Sequence, residues 1–426
     1  MNDIALPIEA KSSAAETVVA APGDLDQRNF PARARWVLKL LGRVEHGALM
    51  VVFPDGQRAR FGHGGPTADV QLRNWNVFAA ALKRGDIGFA ETYAAGDWTS
   101  TDTARLLQFF VRNRAAVERV IYGSFWGSLA YRIKHLLNRN SKPQARKNIT
   151  AHYDLGNAFY SLWLDPSMTY SSALFEQGAS DGAGAHLPAA PAELQAAQRA
   201  KYARVLDELR LERGARVLEI GCGWGGFAET AARAGVHTTG LTLSPAQLEY
   251  AQDRLKRQRL AADLRLQDYR DERAVYDGIA SIEMFEAVGE QYWPSYFATL
   301  GRCLKPGVRA CVQTIVIADQ LFERYRAGTD FIQQYIFPGG MLPSPRAFRA
   351  QAQKAGLKIV AEFAFGRDYA RTLATWRARF MNQLAAVRAL GFDERFIRLW
   401  EFYLAYCEAA FAEGNTDVVQ YTLEKP

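Results

Sequence analysis

The hydrophobic pattern is most informative near the middle of the chain, at 216–230, where the sequence reads RVLEIGCGWGGFAET. Residues 217–220 form a short apolar run, which is typical of a buried strand. Glycines follow at positions 221, 223, 225 and 226, and helical spacing begins at Phe227. The pattern predicts a strand, a tight glycine turn and a helix. Such a turn lets the backbone approach a ligand closely, and the helix N-terminus offers unpaired N–H groups.

Apolar strands and amphipathic helices alternate through the rest of the C-terminal part. A helix is expected at 192–211, and further strands at 236–241, near 268, from 276 and from 304. This alternation predicts an α/β fold with a doubly wound, Rossmann-like parallel sheet. Ligands of such sheets bind beyond the carboxyl ends of the strands. One crevice is therefore expected to hold Glu219, Thr242, Asp268, Glu283, Glu286 and Gln313.

The glycines alone leave the ligand open, because their spacing also satisfies the G-x-G-x-x-G fingerprint of nicotinamide and flavin enzymes. The neighbouring residues favour another nucleoside. Glu219 at the strand end suits an amino-acid ammonium group, and neutral Thr242 and Gln247 stand where a dinucleotide enzyme usually has an acidic residue for the ribose. S-adenosylmethionine is therefore the predicted ligand, and a plain glycine turn is the structural alternative.

The N-terminal part has a different pattern. Polar and apolar residues alternate at 36–61 around Pro54, Asp55 and Gly56, which predicts a β-hairpin. A helix is expected at 74–83. We interpret this part as a smaller α/β or α+β domain that serves folding, dimerisation or lipid presentation. The predicted organisation is a disordered tail at 1–30, the N-terminal domain at 31–130, a basic linker at 131–150 and a methyltransferase domain at 151–426.

Composition narrows the possible partners. The 426 residues carry a net charge of +7, with a pI near 9.1, so nucleic acid or an acidic membrane is the expected anionic partner. The stretch 131–148 has basic residues and no acidic ones, and it suits either a linker or an anionic bilayer surface. Four cysteines without C-x-x-C spacing and six histidines argue against a metal site or a disulfide scaffold. Without a signal-peptide pattern or a long apolar run, a cytoplasmic protein is expected.

Two apolar regions near the C-terminus complete the pattern. Residues 331–345, FIQQYIFPGGMLPSP, resemble a lid that is unusually apolar for an exposed loop. The stretches 368–380 and 400–411 are aromatic helices that could form the walls of a long apolar pocket.

Six stretches, in order along the chain, carry a family resemblance. They read HYDLGNAFYSLWLDPSMTYSSALF, VLEIGCGWGGFA, GLTLSPAQ, SIEMFEAVGEQYW, YIFPGGMLPSP and YARTLATW. Over 31–426 the chain resembles the cyclopropane-fatty-acyl-phospholipid synthases, which are related to mycolic acid cyclopropane synthases. The resemblance implies a class I methyltransferase sheet. It also implies transfer of a methylene group from S-adenosylmethionine to the cis double bond of an unsaturated phospholipid acyl chain, which forms a cyclopropane fatty acid.

The same resemblance implies a bound bicarbonate ion as the base. In the family this ion is held by a glutamate, a histidine, a tyrosine and two backbone amides. The matching positions are Glu286, Tyr335 and the amides of Ser172 and Ile315, while Gln313 stands at the histidine position. A cysteine is usual where this chain has Ser172, which leaves the backbone amide unchanged. Glutamine cannot carry a proton, although its amide can donate a hydrogen bond. Glu286 is an alternative base if burial raises its pKa.

For S-adenosylmethionine the resemblance implies contacts along the whole ligand, from its methionine end to its adenine. The contacts implied are Tyr170, Ser171, Glu219, Gly221, Gly223, Thr242, Leu243, Gln247 and Asp268. Methylation of an alkene leaves a carbocation, which the aromatic faces of Tyr170 and Phe337 could stabilise.

Other functions remain open on the sequence alone. A hydride shift could relieve the cation and give a methyl-branched chain, the substrate could be a soluble small molecule, or the protein could carry lipid without chemistry. A nucleic-acid methyltransferase is not expected, because the sequence has neither N-P-P-Y nor a Pro-Cys nucleophile. The expected partners are a phospholipid bilayer with unsaturated acyl chains and a second copy of the chain in a homodimer. The enzyme is expected to be peripheral and to bind the anionic inner face of the membrane.

Overall fold

The computed structural model describes residues 21, 23–122, 144, 155–175 and 188–426. Within these ranges the chain forms a four-stranded sheet near the N-terminus and a seven-stranded sheet in the C-terminal part. Most of the predicted tail at 1–30, and the predicted basic linker at 131–150 apart from residue 144, lie outside the described residues. Each sheet lies within one of the two predicted domains, and the domain division stays a prediction.

The smaller sheet contains a hairpin and one parallel strand. Its strands are β1 (Gly47–Val52), β2 (Arg58–His63), β3 (Thr67–Leu72) and β4 (Trp98–Thr99), in the order β2-β1-β3-β4. The antiparallel pairing of β1 with β2 confirms the predicted hairpin. The accompanying helices are α1 (Ala32–Leu41), α2 (Asn76–Ala94), α3 (Thr103–Arg112) and α4 (Arg114–Tyr122). The helix predicted at 74–83 is the first part of α2, which Gly85 interrupts with a φ of 62°.

The packed part of this domain begins before residue 31. Phe30 is buried, and its ring centroid lies 5.1 Å from that of Phe53 and 4.6 Å from that of Trp75. The end of the predicted tail therefore belongs to the hydrophobic core.

The larger sheet has the predicted doubly wound topology. Its strands are β5 (Arg216–Ile220), β6 (His237–Thr242), β7 (Asp263–Leu266), β8 (Tyr276–Ile282), β9 (Leu304–Ile317), β10 (Lys358–Ala364) and β11 (Thr416–Glu424). Their order is β10-β11-β9-β8-β5-β6-β7. The strands β5 to β9 pair in parallel, whereas β11 is antiparallel to both β9 and β10. The carboxyl ends of the five parallel strands therefore share one edge, where a ligand can bind.

The described part of the large domain contains the following helices, several of which pack against this sheet. They are α5 (Asn157–Ser161), α6 (Pro191–Leu209), α7 (Gly226–Arg233), α8 (Pro245–Arg257), α9 (Trp293–Cys303), α10 (Asp319–Ala327), α11 (Phe331–Tyr335), α12 (Pro345–Lys354), α13 (Gly366–Asn382), α14 (Leu384–Ala389) and α15 (Glu394–Ala412). The helix predicted at 192–211 is α6. None of the helices in the described ranges combines the length and the hydrophobicity that a membrane span requires.

The aromatic helix α15 joins the two domains. The ring of Phe402 is fully buried, and its centroid lies 6.3 Å from those of Phe89 and Trp98 in the N-terminal domain. On another side, Trp400 lies 5.9 Å from Trp163. A single hydrophobic core thus extends from the small sheet into the large domain. Because this contact is apolar and buried, the N-terminal domain is held against the site described next.

Candidate active site

The site begins at the glycine turn between β5 and α7. Gly221, Gly223 and Gly225 have φ values of 87°, 48° and 82°, in the left-handed region that favours glycine. A Cβ on Gly221 would lie 2.9 Å from Cγ of Met284, so packing alone requires glycine there. A Cβ on Gly223 would meet no atom of the described chain within 4 Å. Gly223 therefore faces open space in which a ligand can lie.

The structure brings every predicted cofactor residue to one cavity of about 730 Å³. These residues are Tyr170, Ser171, Glu219, Gly221, Gly223, Thr242, Leu243, Gln247 and Asp268. Several of them lie at the carboxyl ends of β5 and β6, as the topology requires. Within this group the Thr242 hydroxyl donates to Oε1 of Gln247 at 3.1 Å, which orients the amide. Asp268 forms an ion pair with Arg270 at 2.6 Å.

Glu219 is a buried carboxyl group in this part of the cavity. Its side chain is buried, and its Oε2 atom has no hydrogen-bond partner within the described part of the chain. Burial raises the pKa of Glu219 to about 8, although the charge of Lys201 opposes this shift. A buried carboxylate oxygen without a partner is costly. The ammonium group of S-adenosylmethionine would supply the missing donor, so the residues present fit this cofactor.

The cavity continues from the cofactor residues into an apolar region. Its wall includes Phe337 from the predicted lid and Tyr403 from α15, which confirms that an aromatic helix lines the pocket. Phe89, Leu107 and Phe110 of the N-terminal domain also line it. The small domain therefore supplies part of the binding site.

Two partly buried carboxyl groups, Glu283 and Glu286, lie on the cavity wall. Glu283 accepts three hydrogen bonds. The Ser172 amide donates to its Oε1 at 2.8 Å, the Gln313 side chain donates to the same atom at 2.6 Å, and the Tyr369 hydroxyl donates to Oε2 at 2.6 Å. Burial raises the pKa of Glu283, while the nearby Lys201 charge opposes that change.

Glu286 has a different environment. Its Oε1 accepts hydrogen bonds from the Ile315 amide and, at 2.9 Å, from the Thr314 hydroxyl. Its Oε2 is buried without a hydrogen-bond partner among the described residues. Burial, and next repulsion from Glu283, raises the pKa of Glu286 to about 8. At pH 7 Glu286 is therefore mostly a neutral acid.

A buried lysine lies beside these acids. Lys201 is fully buried on α6, and its ammonium group donates to the Ser171 hydroxyl. Burial lowers the pKa of Lys201 to about 7, against the attraction of Glu283, Asp165 and Glu219. The chain thus places a weakly basic amine between the cofactor region and the two carboxyl groups.

Comparison with known proteins gives the family. The sequence profile described as mycolic acid cyclopropane synthetase matches residues 140–421. The chain belongs to this family. Tuberculostearic acid methyltransferase UfaA1 of Mycobacterium tuberculosis is 40% identical over 398 residues, which are 90% of each chain. The cyclopropane-fatty-acyl-phospholipid synthase of Escherichia coli K12 is 35% identical over 366 residues, which are 85% of this chain and 89% of that protein.

Solved structures of the mycolic acid cyclopropane synthetase family match the fold. Mycolic acid cyclopropane synthase CmaA1, complexed with SAH and CTAB, has a TM-score of 0.59 and 30% identity, over 66% of this chain and 98% of CmaA1. The cyclopropane synthase MmaA2 from Mycobacterium tuberculosis gives the same values. The chain is therefore a class I methyltransferase that uses S-adenosylmethionine, as the sequence predicted.

The residues that the resemblance assigned to bicarbonate are not gathered around one open space. Glu286 and Ile315 line the cavity, but Ser172, Gln313 and Tyr335 are not part of its wall. Ser172 and Gln313 lie behind Glu283 and donate to it. The Tyr335 hydroxyl donates to Glu91 of α2 at 2.6 Å. Tyr335 as a catalytic residue stays a prediction that this placement does not support.

The predicted lid segment is held by the N-terminal domain. Its first turn, α11, places Phe331 in the buried core, and the Phe331 amide donates to Asp86 at 3.1 Å. The hydroxyl of Tyr406 donates to the same carboxylate oxygen at 2.9 Å. Burial raises the pKa of Asp86 to about 6. The segment is therefore a buried wall in this structure and not an exposed loop.

The sequence placed Glu283 in the crevice without giving it a role, and it gave no role to Lys201 or Tyr369. Tyr369 lies within the quoted YARTLATW stretch, which was the available signal. Lys201 had none, since a single lysine in an amphipathic helix is ordinary. Among the described residues, no group of three or more His, Cys, Asp and Glu side chains could hold a metal ion.

Proposed function

We propose that this methyltransferase transfers a methylene group from S-adenosylmethionine to the cis double bond of an unsaturated phospholipid acyl chain, which forms a cyclopropane fatty acid. One observation carries the proposal. The cavity that holds the cofactor residues continues past Glu283 and Glu286 into a region lined by apolar side chains of both domains. An acyl chain gains free energy when it leaves water for such a region, whereas a small polar substrate does not.

The chemistry requires an apolar site that also stabilises positive charge. The sulfonium group of the cofactor supplies an electrophilic methyl group, and attack by the alkene leaves a cation on the acyl chain. The rings of Tyr170, Phe337 and Tyr403 line the cavity. The Tyr170 hydroxyl is paired with that of Tyr403 at 2.6 Å, which fixes the rings. Each aromatic face can stabilise a desolvated cation by about 2 kcal/mol.

Basic side chains support a phospholipid as the source of the acyl chain. Arg114 and Arg324 line the same cavity. The Arg324 side chain is half-exposed, and its partial burial, followed by repulsion from Arg114, lowers its pKa. Arg324 also pairs with Glu118. A phosphate group would relieve this repulsion, which agrees with a peripheral enzyme on an anionic membrane.

A methyl-branched acyl chain is the second candidate product, and two observations favour it. Gln313 stands where a proton-carrying histidine was expected, and a relative that matches 90% of this chain is described as a tuberculostearic acid methyltransferase. Both products begin with the same cation. They differ in whether the ring closes directly or a hydride moves first.

The test uses purified protein, vesicles of unsaturated anionic phospholipid and S-adenosylmethionine with a labelled methyl group. Mass spectrometry of the fatty acids detects label, and mild hydrogenation then separates the products, because it reduces a branched alkene and leaves a cyclopropane intact. A labelled cyclopropane supports the proposal, and a labelled branched chain supports the second candidate. If label appears in neither, lipid methylation is refuted and soluble substrates should be screened.

The lipid contact has its own test. We expect Arg114→Gln to raise the apparent KM for anionic vesicles by roughly 10-fold to 100-fold, with little change for neutral vesicles, since a charged hydrogen bond contributes about 1.5–3 kcal/mol. Arg43→Gln is the matched control, because Arg43 is exposed in the same domain and does not line the cavity. Equal KM values for Arg114→Gln and the control would contradict a phosphate contact.

A further inference from the structure

We propose that the carboxylate of Glu283 is the proton acceptor of the reaction and takes the place of the bicarbonate ion that the family resemblance implied. This inference rests on the proposed function, since it concerns the proton that leaves the acyl chain after methylation. It adds a catalytic residue to which the sequence gave no role.

The donors expected to hold bicarbonate already bind carboxylates of the chain itself. The Ser172 amide and the Gln313 side chain donate to Glu283 at 2.8 and 2.6 Å. The Ile315 amide donates to Glu286, and the Tyr335 hydroxyl donates to Glu91 at 2.6 Å. A bicarbonate ion would have to displace these carboxylates and lie beside them in a buried site. The Glu283 carboxylate, which already occupies two of these donors, would repel a bicarbonate ion held beside it away from bulk water, so the residues present do not fit the ion.

The backbone at Glu283 is unusual in a way that fits this role. Its φ of 49° lies in the left-handed region, which residues other than glycine and asparagine rarely adopt. The residue directly follows β8, and its amide donates to the Gln313 carbonyl at 2.8 Å. Strained residues of this kind concentrate at functional sites, where the surrounding structure holds them. At Glu283 the holding contacts are the three donors to its carboxylate.

The same contacts leave the carboxylate able to accept a proton. A carboxylate has about four lone-pair positions, and the donors from Ser172, Gln313 and Tyr369 use three of them. Glu283 lines the cavity, whereas Ser172 and Gln313 do not. The fourth lone-pair position of the Glu283 carboxylate can therefore accept a proton from the substrate. Burial raises the pKa of Glu283, which makes its carboxylate a stronger base. The charge of Lys201 opposes this rise and so favours the ionised form of Glu283.

The proposed step balances without another reagent. The methyl carbon forms a bond to one alkene carbon as its bond to sulfur breaks, which leaves S-adenosylhomocysteine and a cation on the other alkene carbon. Glu283 takes one proton from the new methyl group. The electrons of that C–H bond close the ring, or they form a methylene branch if a hydride has first moved between the two former alkene carbons. The carboxyl group later releases the proton to solvent.

The first experiment compares the wild-type enzyme in buffer freed of carbon dioxide with the same enzyme after addition of bicarbonate. We expect equal rates of label transfer to vesicle lipids. A rate that depends on bicarbonate would overturn this inference while leaving the proposed function intact. Absence of labelled lipid under both conditions would instead refute the proposed function.

The second experiment uses Glu283→Gly and Glu283→Gln. Glycine relieves the left-handed backbone and opens space, and glutamine keeps the shape without basicity. General-base catalysis contributes about 100-fold to 10,000-fold, so we expect a loss of that size in both variants. S-adenosylmethionine binding, measured by calorimetry, should be unchanged, and this reports that the fold is retained. Glu249→Gln, at an exposed position of α8, is the matched control and should keep full activity.

Chemical rescue separates proton transfer from simple charge. Formate is small enough for the space that Glu283→Gly opens. We expect added formate to raise the rate of this variant by about tenfold or more, whereas chloride should not raise it. Equal rescue by formate and chloride would mean that only a negative charge is needed, which would overturn the assignment of Glu283 as proton acceptor. Full activity of Glu283→Gly without any added anion would overturn it as well.

Discussion

Replacement of Glu219 by glutamine removes the buried carboxylate at the end of β5 and keeps the shape of the side chain. In the cofactor complex this carboxylate would accept hydrogen bonds from the ammonium group of S-adenosylmethionine. A hydrogen bond to a charged group contributes about 1.5–3 kcal/mol. Burial opposes part of that gain, because it raises the pKa of Glu219 to about 8.

The size of the effect therefore depends on pH. At pH 7 the carboxyl group must first lose its proton, which costs about 1.4 kcal/mol for one pKa unit. The net contribution of Glu219 is then about 1 kcal/mol, or roughly fivefold in Kd. At pH 8 the cost nearly vanishes, and the contribution rises to about 2 kcal/mol, or roughly thirtyfold.

The sign of the proton linkage follows from the same pKa. The pKa of Glu219 is higher in the free protein than beside an ammonium group, which favours the ionised form. An interaction of about 2 kcal/mol lowers the pKa by about 1.6 units, so binding releases protons below pH 8, about 0.7 per cofactor from this carboxyl at pH 7. Affinity should rise between pH 6 and pH 8. It should fall again as the α-amino group, with an ordinary pKa of about 7.7–8.0, loses its own proton.

Isothermal titration calorimetry in two buffers of different ionisation enthalpy measures both Kd and proton release. Wild-type protein and the surface control Glu249→Gln should release roughly 0.7 proton from this carboxyl at pH 7, and Glu219→Gln should release almost none. If Glu219→Gln released as many protons as the wild type, or weakened binding equally at pH 6 and pH 8, the assignment of Glu219 to the ammonium group would be wrong.

Three further predictions concern the turn, the cavity and the lid. Gly223→Val should abolish cofactor binding. The control Gly214→Val changes an exposed glycine with a φ of 82°; both variants should lose about 1–2 kcal/mol of stability, the cost of a left-handed side chain, but the control should bind the cofactor normally. Cofactor binding by Gly223→Val would contradict the turn assignment. Burial raises the pKa of Glu286 from 4.5 to about 8, so its favourable contribution to stability is complete below pH 4.5 and is lost as the pH rises to 8. The free energy of unfolding, measured by denaturant titration, should therefore fall less for Glu286→Gln than for the wild type between pH 5.5 and pH 8. An equal fall in the two proteins would refute this. Asp86→Ala removes the acceptor of the Phe331 amide, so hydrogen exchange at Phe331 should accelerate while cofactor affinity stays constant; unchanged exchange would show that Asp86 does not hold the lid.

The cofactor half of the site could be predicted from the sequence because its signals are local. The glycine turn, the preceding apolar strand and Glu219 lie within a few residues of each other, and their spacing reflects the backbone geometry that the turn requires. The parallel order of the strands then places Thr242 and Asp268 at the same edge. All the residues predicted to contact S-adenosylmethionine line the cavity for this reason.

The proton-transfer half could not be predicted in the same way. The three donors to Glu283 are separated from it by 111, 30 and 86 residues, and no local pattern reports such contacts. Tyr335 fitted the family pattern, yet its hydroxyl donates to Glu91, which is 244 residues away. The segment 331–345 was predicted to be a lid, because nothing in the neighbouring sequence indicates that α2 and α15 cover it.

The sequence by itself thus determined the α/β class, the strand–turn–helix unit and the identity of the cofactor, since periodicity and glycine requirements act over a few residues. The tertiary structure decided which carboxyl group faces the substrate, which donors are already used and which acids are buried deeply enough for a raised pKa. Those properties depend on burial and on contacts between segments that are far apart in the sequence, and both arise only when the chain packs into its folded core.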